Sequence, residues 1–204
     1  MKREHILPIL FFGTIWGAAE VILGGALYRA HVPYPSVPLT VIAFVILTVG
    51  RAYLPQAGSS TLIAGCAMLY KFLNTPFFAC HLLGIFLIGL SYDLVRSRFK
   101  IRNDALFAVT ATYVAYSVFA VTITYVFRYA EWNRYGLPGV LHHVGIVGTM
   151  AAVGNAVLVP LTVRLLRRAR AGAPSPLFFG SKLRAAGSSM VMAALWIAGV
   201  TVSF

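Results

Sequence analysis

Cys80 is the residue whose type and setting can do the most chemistry in this chain. It follows Thr75, a good helix N-cap, and Pro76, a good first helical residue, so it falls about one turn into a helix. The partial positive charge at a helix start favours a thiolate, the form of cysteine that acts as a nucleophile and binds metals. Lys71, nearby in sequence, adds positive charge. His81 follows directly, but neighbours on a helix point about 100° apart, so the two do not grip one metal together. The chain has no CxxC and no HExxH, and so encodes no dedicated zinc site. One open cysteine suits instead an axial ligand to a metal already held in a macrocycle. The plainer alternative is a small buried hydrophobe, which is how Cys66, set among Ala and Gly, reads.

Three further segments gather aromatic and polar side chains. The first holds Tyr28, Arg29, His31 and Tyr34, and the second Lys71, Phe72, Asn74, Thr75, Phe77 and Phe78. The third holds Tyr125, Arg128, Trp132 and Arg134, with Tyr129, Glu131, Asn133 and Tyr135 between them, and is followed by His142 and His143. Aromatic faces with a few donors build a pocket for a large, partly apolar ligand. An interfacial aromatic belt explains the Trp and Tyr equally well, but the added Arg, His, Asn and Glu less well. Glu20 is an acid well inside an apolar run, where it serves either the floor of that pocket or a tie between helices. Asp93, three residues before Arg96, reads as a local ion pair. Asn155 reads as a hydrogen bond between helices, and Gly13-x-x-x-Gly17 as a site of close helix packing or partner docking. Tyr113, Tyr116, Ser117, Ala120, Thr124 and Phe127 form a stripe that faces a bundle more readily than lipid, and core more readily than ligand.

The elements that must hold these residues are membrane helices. Of 204 residues 59% are hydrophobic and 11% charged, against roughly 45–50% and about 25% in a soluble domain. Lys and Arg number 17 and Asp and Glu 5, for a net charge of +12. The basic residues lie between apolar runs, which points to membrane topology and anionic lipid and not to nucleic acid. Runs at about 6–28, 37–54, 58–73, 76–96, 104–128 and 138–166 approach the roughly 20 residues that span a bilayer, the third being short. A seventh, at about 185–204, is rich in Ala, Gly and Ser. The first is longer than a signal-peptide core and reads as a retained helix. With the N-terminus in the cytoplasm, 13 of the 17 basic residues fall on the inner side, which sets that orientation. The chain is then one transmembrane domain over residues 1–204. Residues 167–184 form a cytoplasmic basic linker before the last apolar helix.

No P-loop, no GxSxG and no paired carboxylates occur, so no familiar soluble enzyme or ATPase is encoded. Phe12-Gly13-Thr14-Ile15-Trp16-Gly17-Ala18-Ala19-Glu20 and the segment Gly58-Ser59-Ser60-Thr61-Leu62-Ile63-Ala64-Gly65 resemble the S-components of energy-coupling-factor (ECF) transporters. Pro76-Phe77-Phe78-Ala79-Cys80-His81 resembles, more narrowly, the BtuM-type vitamin B12 transporters, which are solitary S-component-like proteins. The likeness covers most of residues 1–166. It implies an all-α bundle of six transmembrane helices in a bacterial inner membrane; hydropathy alone gives seven. It implies cobalamin as substrate and no other cofactor, with Cys80 as axial cobalt ligand. It further implies expulsion of cyanide from cyanocobalamin by thiolate attack and electron donation, coupled to uptake. The partner it implies is an ECF energising module, unless the protein acts alone. The alternatives are an S-component for another vitamin or a haem-like ligand, and a membrane subunit with no transport role.

Overall fold

A computed structural model of the chain describes residues 5–73, 79–171 and 182–203. The described residues are helical, with no strand among them. Hydrocarbon offers backbone groups no hydrogen bonds, and a helix satisfies them all within one segment. Helix α1 spans Ile6–Arg29, with a wide π turn at Ala19–Leu23. Helix α2 is Ser36–Tyr53. Helix α3, Ser59–Tyr70, is entered through Gly58 at φ 87°, a backbone angle that glycine takes without strain. Helix α4 is Ala79–Arg98. Helix α5, Asp104–Val126, ends in a π turn at Thr122–Val126. Its cap is Asn103, whose side chain accepts from the N–H groups of Ala105 and Leu106 at 2.9 and 3.1 Å. Helix α6, Ala130–His142, bends at Gly136, and a π turn at His143–Val147 joins it to α7, Gly148–Ala171. Helix α8 is Lys182–Ser203.

Among the described residues, 5 helical stretches are long and apolar enough to cross a membrane: Ile6–Arg29, Ser36–Tyr53, Cys80–Arg98, Asp104–Val126 and Ala130–Arg170. Ser59–Tyr70 and Ala186–Val202 are apolar but shorter. The chain is thus an all-α bundle of membrane character. Packing orders the helices into a closed ring: α1 against α3, α3 against α4, α4 against α5, α5 against α7, α7 against α2, and α2 back against α1. Helix α8 docks outside this ring on α1, and its Trp196 lies against Tyr70 at the end of α3 with ring centroids 3.9 Å apart.

Trp16, Phe44, Leu47, Ile63, Phe107 and Val159 fill the ring. Two glycines set its tightest seams. A Cβ on Gly13 would lie 2.3 Å from Cys66 Cβ and 2.9 Å from the Ile63 carbonyl, and one on Gly89 would lie 2.4 Å from Ala64 Cβ. The Gly13-x-x-x-Gly17 stripe therefore packs α1 on α3 within the chain, and Cys66 is part of that seam. Gly13→Ala is expected to destabilise the protein by about 1–3 kcal/mol through overpacking. Gly65→Ala, whose Cβ meets nothing within 4 Å, is expected to be neutral or stabilising through helix propensity. Thermal midpoints of the two variants in one detergent check the contrast.

Three expectations need correction. Asp93 does not pair with Arg96: Arg51 Nη1 lies 3.4 Å from Asp93 Oδ1, while Arg96 lies 3.6 Å from Asp104. Asp93 also caps α3, accepting from Thr61 N–H and Thr61 Oγ1 at 2.8 and 2.9 Å. A carboxylate at a helix N-terminus gains from the backbone dipoles, and that gain draws Asp93 toward α3. Residues 167–171 are not linker but the last turn of α7, so Arg167, Arg168 and Arg170 sit on a helix. The stretch that the sequence leaves between the runs at 104–128 and 138–166 is not a break between helices but largely helix α6. Asn155 behaves as expected, donating to Thr112 Oγ1 at 2.8 Å between α7 and α5.

Candidate functional site

The end of the bundle where α2 and α4 begin and α5 ends holds a cavity of about 120 Å³. Helix α2 contributes Ser36 and Thr40, and the first described turn of α4 contributes Cys80 and His81. The last turns of α5 contribute Tyr116 and Phe119, and the π turn after α6 contributes His143. Gly84, Ile88 and Ala115 close the floor with small or aliphatic groups. Cys80 is half-buried and on the cavity wall.

The aromatic part of the wall is held by side-chain contacts. The Tyr116 hydroxyl lies 3.1 Å from Thr40 Oγ1, which fixes its ring. The His143 ring stacks on Tyr116 at 4.9 Å, and meets Trp132 edge-on at 4.9 Å and Phe119 at 5.5 Å. Aromatic pairs at these separations add about 0.5–1.5 kcal/mol beyond simple burial. Near this wall, the Tyr34 hydroxyl lies 3.5 Å from His142 Nε2. His31, Tyr34 and Arg128 carry φ values of 53°, 53° and 48°, in the left-handed region. That region costs a non-glycine residue roughly 1–2 kcal/mol, and such strain gathers at binding surfaces.

Of the predicted site residues, Cys80 and His143 line the cavity, and Trp132 backs it through His143. Tyr34 and His142 meet one another. Tyr28, Arg29, His31, Tyr125, Arg128 and Arg134 are exposed at the same end and do not line the cavity. Asn74 and Phe77 lie outside the described residues, as do Thr75 and Pro76. Lys71 is not among the residues that line the cavity. It is buried, 3.4 Å from Glu20 Oε2, and donates to the Glu20 carbonyl at 3.1 Å. Trp16 Nε1 donates to Glu20 Oε1 at 3.1 Å. Glu20 is therefore a tie between helices, its charge matched inside the bundle as a buried ion requires.

Sequence reasoning did not single out Ser36, Thr40, Tyr116 or Phe119 as site residues. Tyr116 did stand on the stripe assigned to the bundle interior. A stripe that faces the interior also faces any hollow within it, and that signal pointed to Tyr116.

Among the described residues no three His, Cys, Asp or Glu side chains converge to hold a metal ion. The cavity lining holds one thiol, Cys80, and two imidazoles, His81 and His143. Ligand pockets for whole small molecules run to about 300–1,000 Å³. A cavity of about 120 Å³ takes the reacting edge of a large ligand, or the whole of a small one. Compared with known protein families, curated proteins and solved structures, the chain matches none.

Proposed function

We propose that this protein is a membrane transporter for cobalamin uptake, in which Cys80 becomes an axial ligand of the corrinoid cobalt. The observation that carries the reading is the position of Cys80 on the wall of a cavity within the helix ring, beside Tyr116, Phe119 and His143. A soft thiolate competes well for a late first-row metal. Flat aromatic faces suit a corrin edge, and the exposed Arg29, Arg128 and Arg134 at that end suit its amides and phosphate. The resemblance around Pro76–His81 and the bundle of apolar helices are consistent with an S-component-like protein of a bacterial inner membrane. Its N-terminus is then cytoplasmic by the distribution of basic residues, and an ECF module is its partner unless it works alone.

Ligation of cyanocobalamin is an exchange at cobalt(III). The sulfur lone pair forms the Co–S bond, cyanide leaves with the Co–C pair, and the oxidation state is unchanged. The thiol proton passes to solvent, because a metal-bound thiol is deprotonated. Decyanation by this route needs no reductant.

The cavity volume favours a second reading, an S-component-like carrier of a smaller vitamin for which Cys80 is only a polar contact. One experiment separates them. A cobalamin-auxotrophic bacterium stripped of its own uptake system is expected to grow on nanomolar cobalamin when it expresses this chain. Absence of growth from well-expressed protein, with a different vitamin rescuing its own auxotroph, overturns the cobalamin reading in favour of the second.

A further inference from the structure

At the opposite end of the bundle, four guanidinium groups face one hollow of about 190 Å³: Arg51 of α2, Arg96 of α4, and Arg167 and Arg170 of α7. Among the described residues, two acids meet them. Asp104 lies 3.6 Å from Arg96, and Asp93 lies 3.4 Å from Arg51. Arg167 and Arg170 thus bring two positive charges to the hollow that these acids leave unmatched. The arginines are also held in place. Arg51 donates to Ser59 Oγ at 3.0 Å, Arg170 donates to the Ala52 carbonyl, and the Arg96 guanidinium sits 5.0 Å from the centre of the Phe107 ring. Each guanidinium has five N–H donors, so these contacts leave several free to face the hollow.

We infer that this hollow is a binding site for a phosphate-bearing anion. A planar guanidinium fork matches phosphate oxygens two at a time, and several forks converging from separate helices can surround a tetrahedral anion. Uncompensated positive charge in a partly enclosed hollow attracts an anion more strongly than the same charge spread over open surface. The wall is not wholly polar: Val163 and Leu166 of α7 line it. Leu158, Leu161 and Leu165 are exposed on the opposite face of the same helix. The hollow sets a phosphate site beside a short apolar wall. That chemistry fits the phosphate of an anionic lipid headgroup, and equally the phosphate of a soluble compound. The site is independent of the cavity at Cys80 and of what that cavity carries.

The test uses the full-length protein in an uncharged detergent, with thermal stability read against three probes. These are inorganic phosphate, dioctanoyl phosphatidylglycerol, and dioctanoylglycerol, which has the chains and no phosphate. A ligand bound only by the folded state raises the apparent midpoint in proportion to its saturation. At least one phosphate probe is expected to raise it, with dioctanoylglycerol doing less. A rise with inorganic phosphate alone identifies a soluble anion, and a rise confined to phosphatidylglycerol identifies the lipid headgroup. The double variant Arg167→Gln/Arg170→Gln is expected to weaken the apparent Kd by about tenfold or more, from lost charged hydrogen bonds. Arg167→Gln alone, an exposed change that leaves the fold intact, is expected to weaken it severalfold. Arg98→Gln removes an exposed charge at the same end but outside the hollow, and is expected to change little. The proposal falls if neither phosphate probe raises the midpoint. It falls equally if dioctanoylglycerol matches phosphatidylglycerol, or if Arg98→Gln weakens binding as much as the double variant.

Discussion

Cys80→Ala is expected to abolish the change that wild-type protein imposes on the visible spectrum of cyanocobalamin. The cobalt spectrum reports its axial ligands directly, so loss of a Co–S bond is read at the metal itself. Changes in groups that merely support a metal ligand typically cost 10–100-fold in affinity. Removing the ligand itself is therefore expected to weaken cobalamin binding by about 100-fold or more. Cys80→Ser keeps the size and polarity of the side chain but offers a hard hydroxyl, and is expected to fail in the same way. Neither change fills or empties much core, since Cys80 is half-buried, so stability is expected to move by no more than about 1 kcal/mol. The sign of the pH dependence follows from the proton count. Ligation releases the thiol proton, so wild-type ligation is expected to strengthen as pH rises. Any residual binding by Cys80→Ala is expected to lack that dependence on the thiol. A spectral change that persists in Cys80→Ala shows that another group, or none, holds the cobalt.

The second large effect is expected at Asp93. Its carboxylate is buried, takes two hydrogen bonds from Thr61 at the start of α3, and faces Arg51 at 3.4 Å. Arg51 in turn donates to Ser59 Oγ at 3.0 Å and to the Gln56 carbonyl, so one carboxylate fastens α2, α3 and α4 together. Removing one partner of a buried pair leaves the other charge uncompensated, at about 3–5 kcal/mol. Asp93→Ala is expected to lose stability on that scale, seen as a large fall in thermal midpoint and in yield of folded protein. Asp93→Asn can still accept from Thr61 and is expected to lose less. Equal losses for the two variants would mean that charge, and not hydrogen bonding, carries the knot.

Much of this arrangement could be read from the chain because membrane helices follow local rules. Apolar length alone placed each long helix, since hydrocarbon leaves the backbone no other solution. Gly13-x-x-x-Gly17 announced the α1–α3 seam because close approach demands residues without side chains at helical spacing. Cys80 was visible because few side chains combine its softness with a position at a helix start. The sequence misled wherever partners are distant along the chain. Lys71 looked like a pocket cation until Glu20 came within 3.4 Å of it across the bundle. Asp93 looked like the mate of Arg96 because spacing shows only partners on the same helix, whereas the N–H groups of α3 drew it elsewhere. Tyr116, Phe119, Ser36 and Thr40 form a wall only after α2, α4 and α5 assemble. No spacing within any one helix encodes that meeting.

The π turns at Ala19–Leu23, Thr122–Val126 and His143–Val147 all lie in the half of the molecule that carries the Cys80 cavity. Each lodges an extra residue in a helical turn and so loosens the regular ladder of backbone bonds there. The other half is fastened by Asp93, Arg51 and their neighbours. The barrel thus has a stiff foundation and a rim whose staves can slip in register at small cost. A rim of that kind can dilate around a guest without unsettling its base.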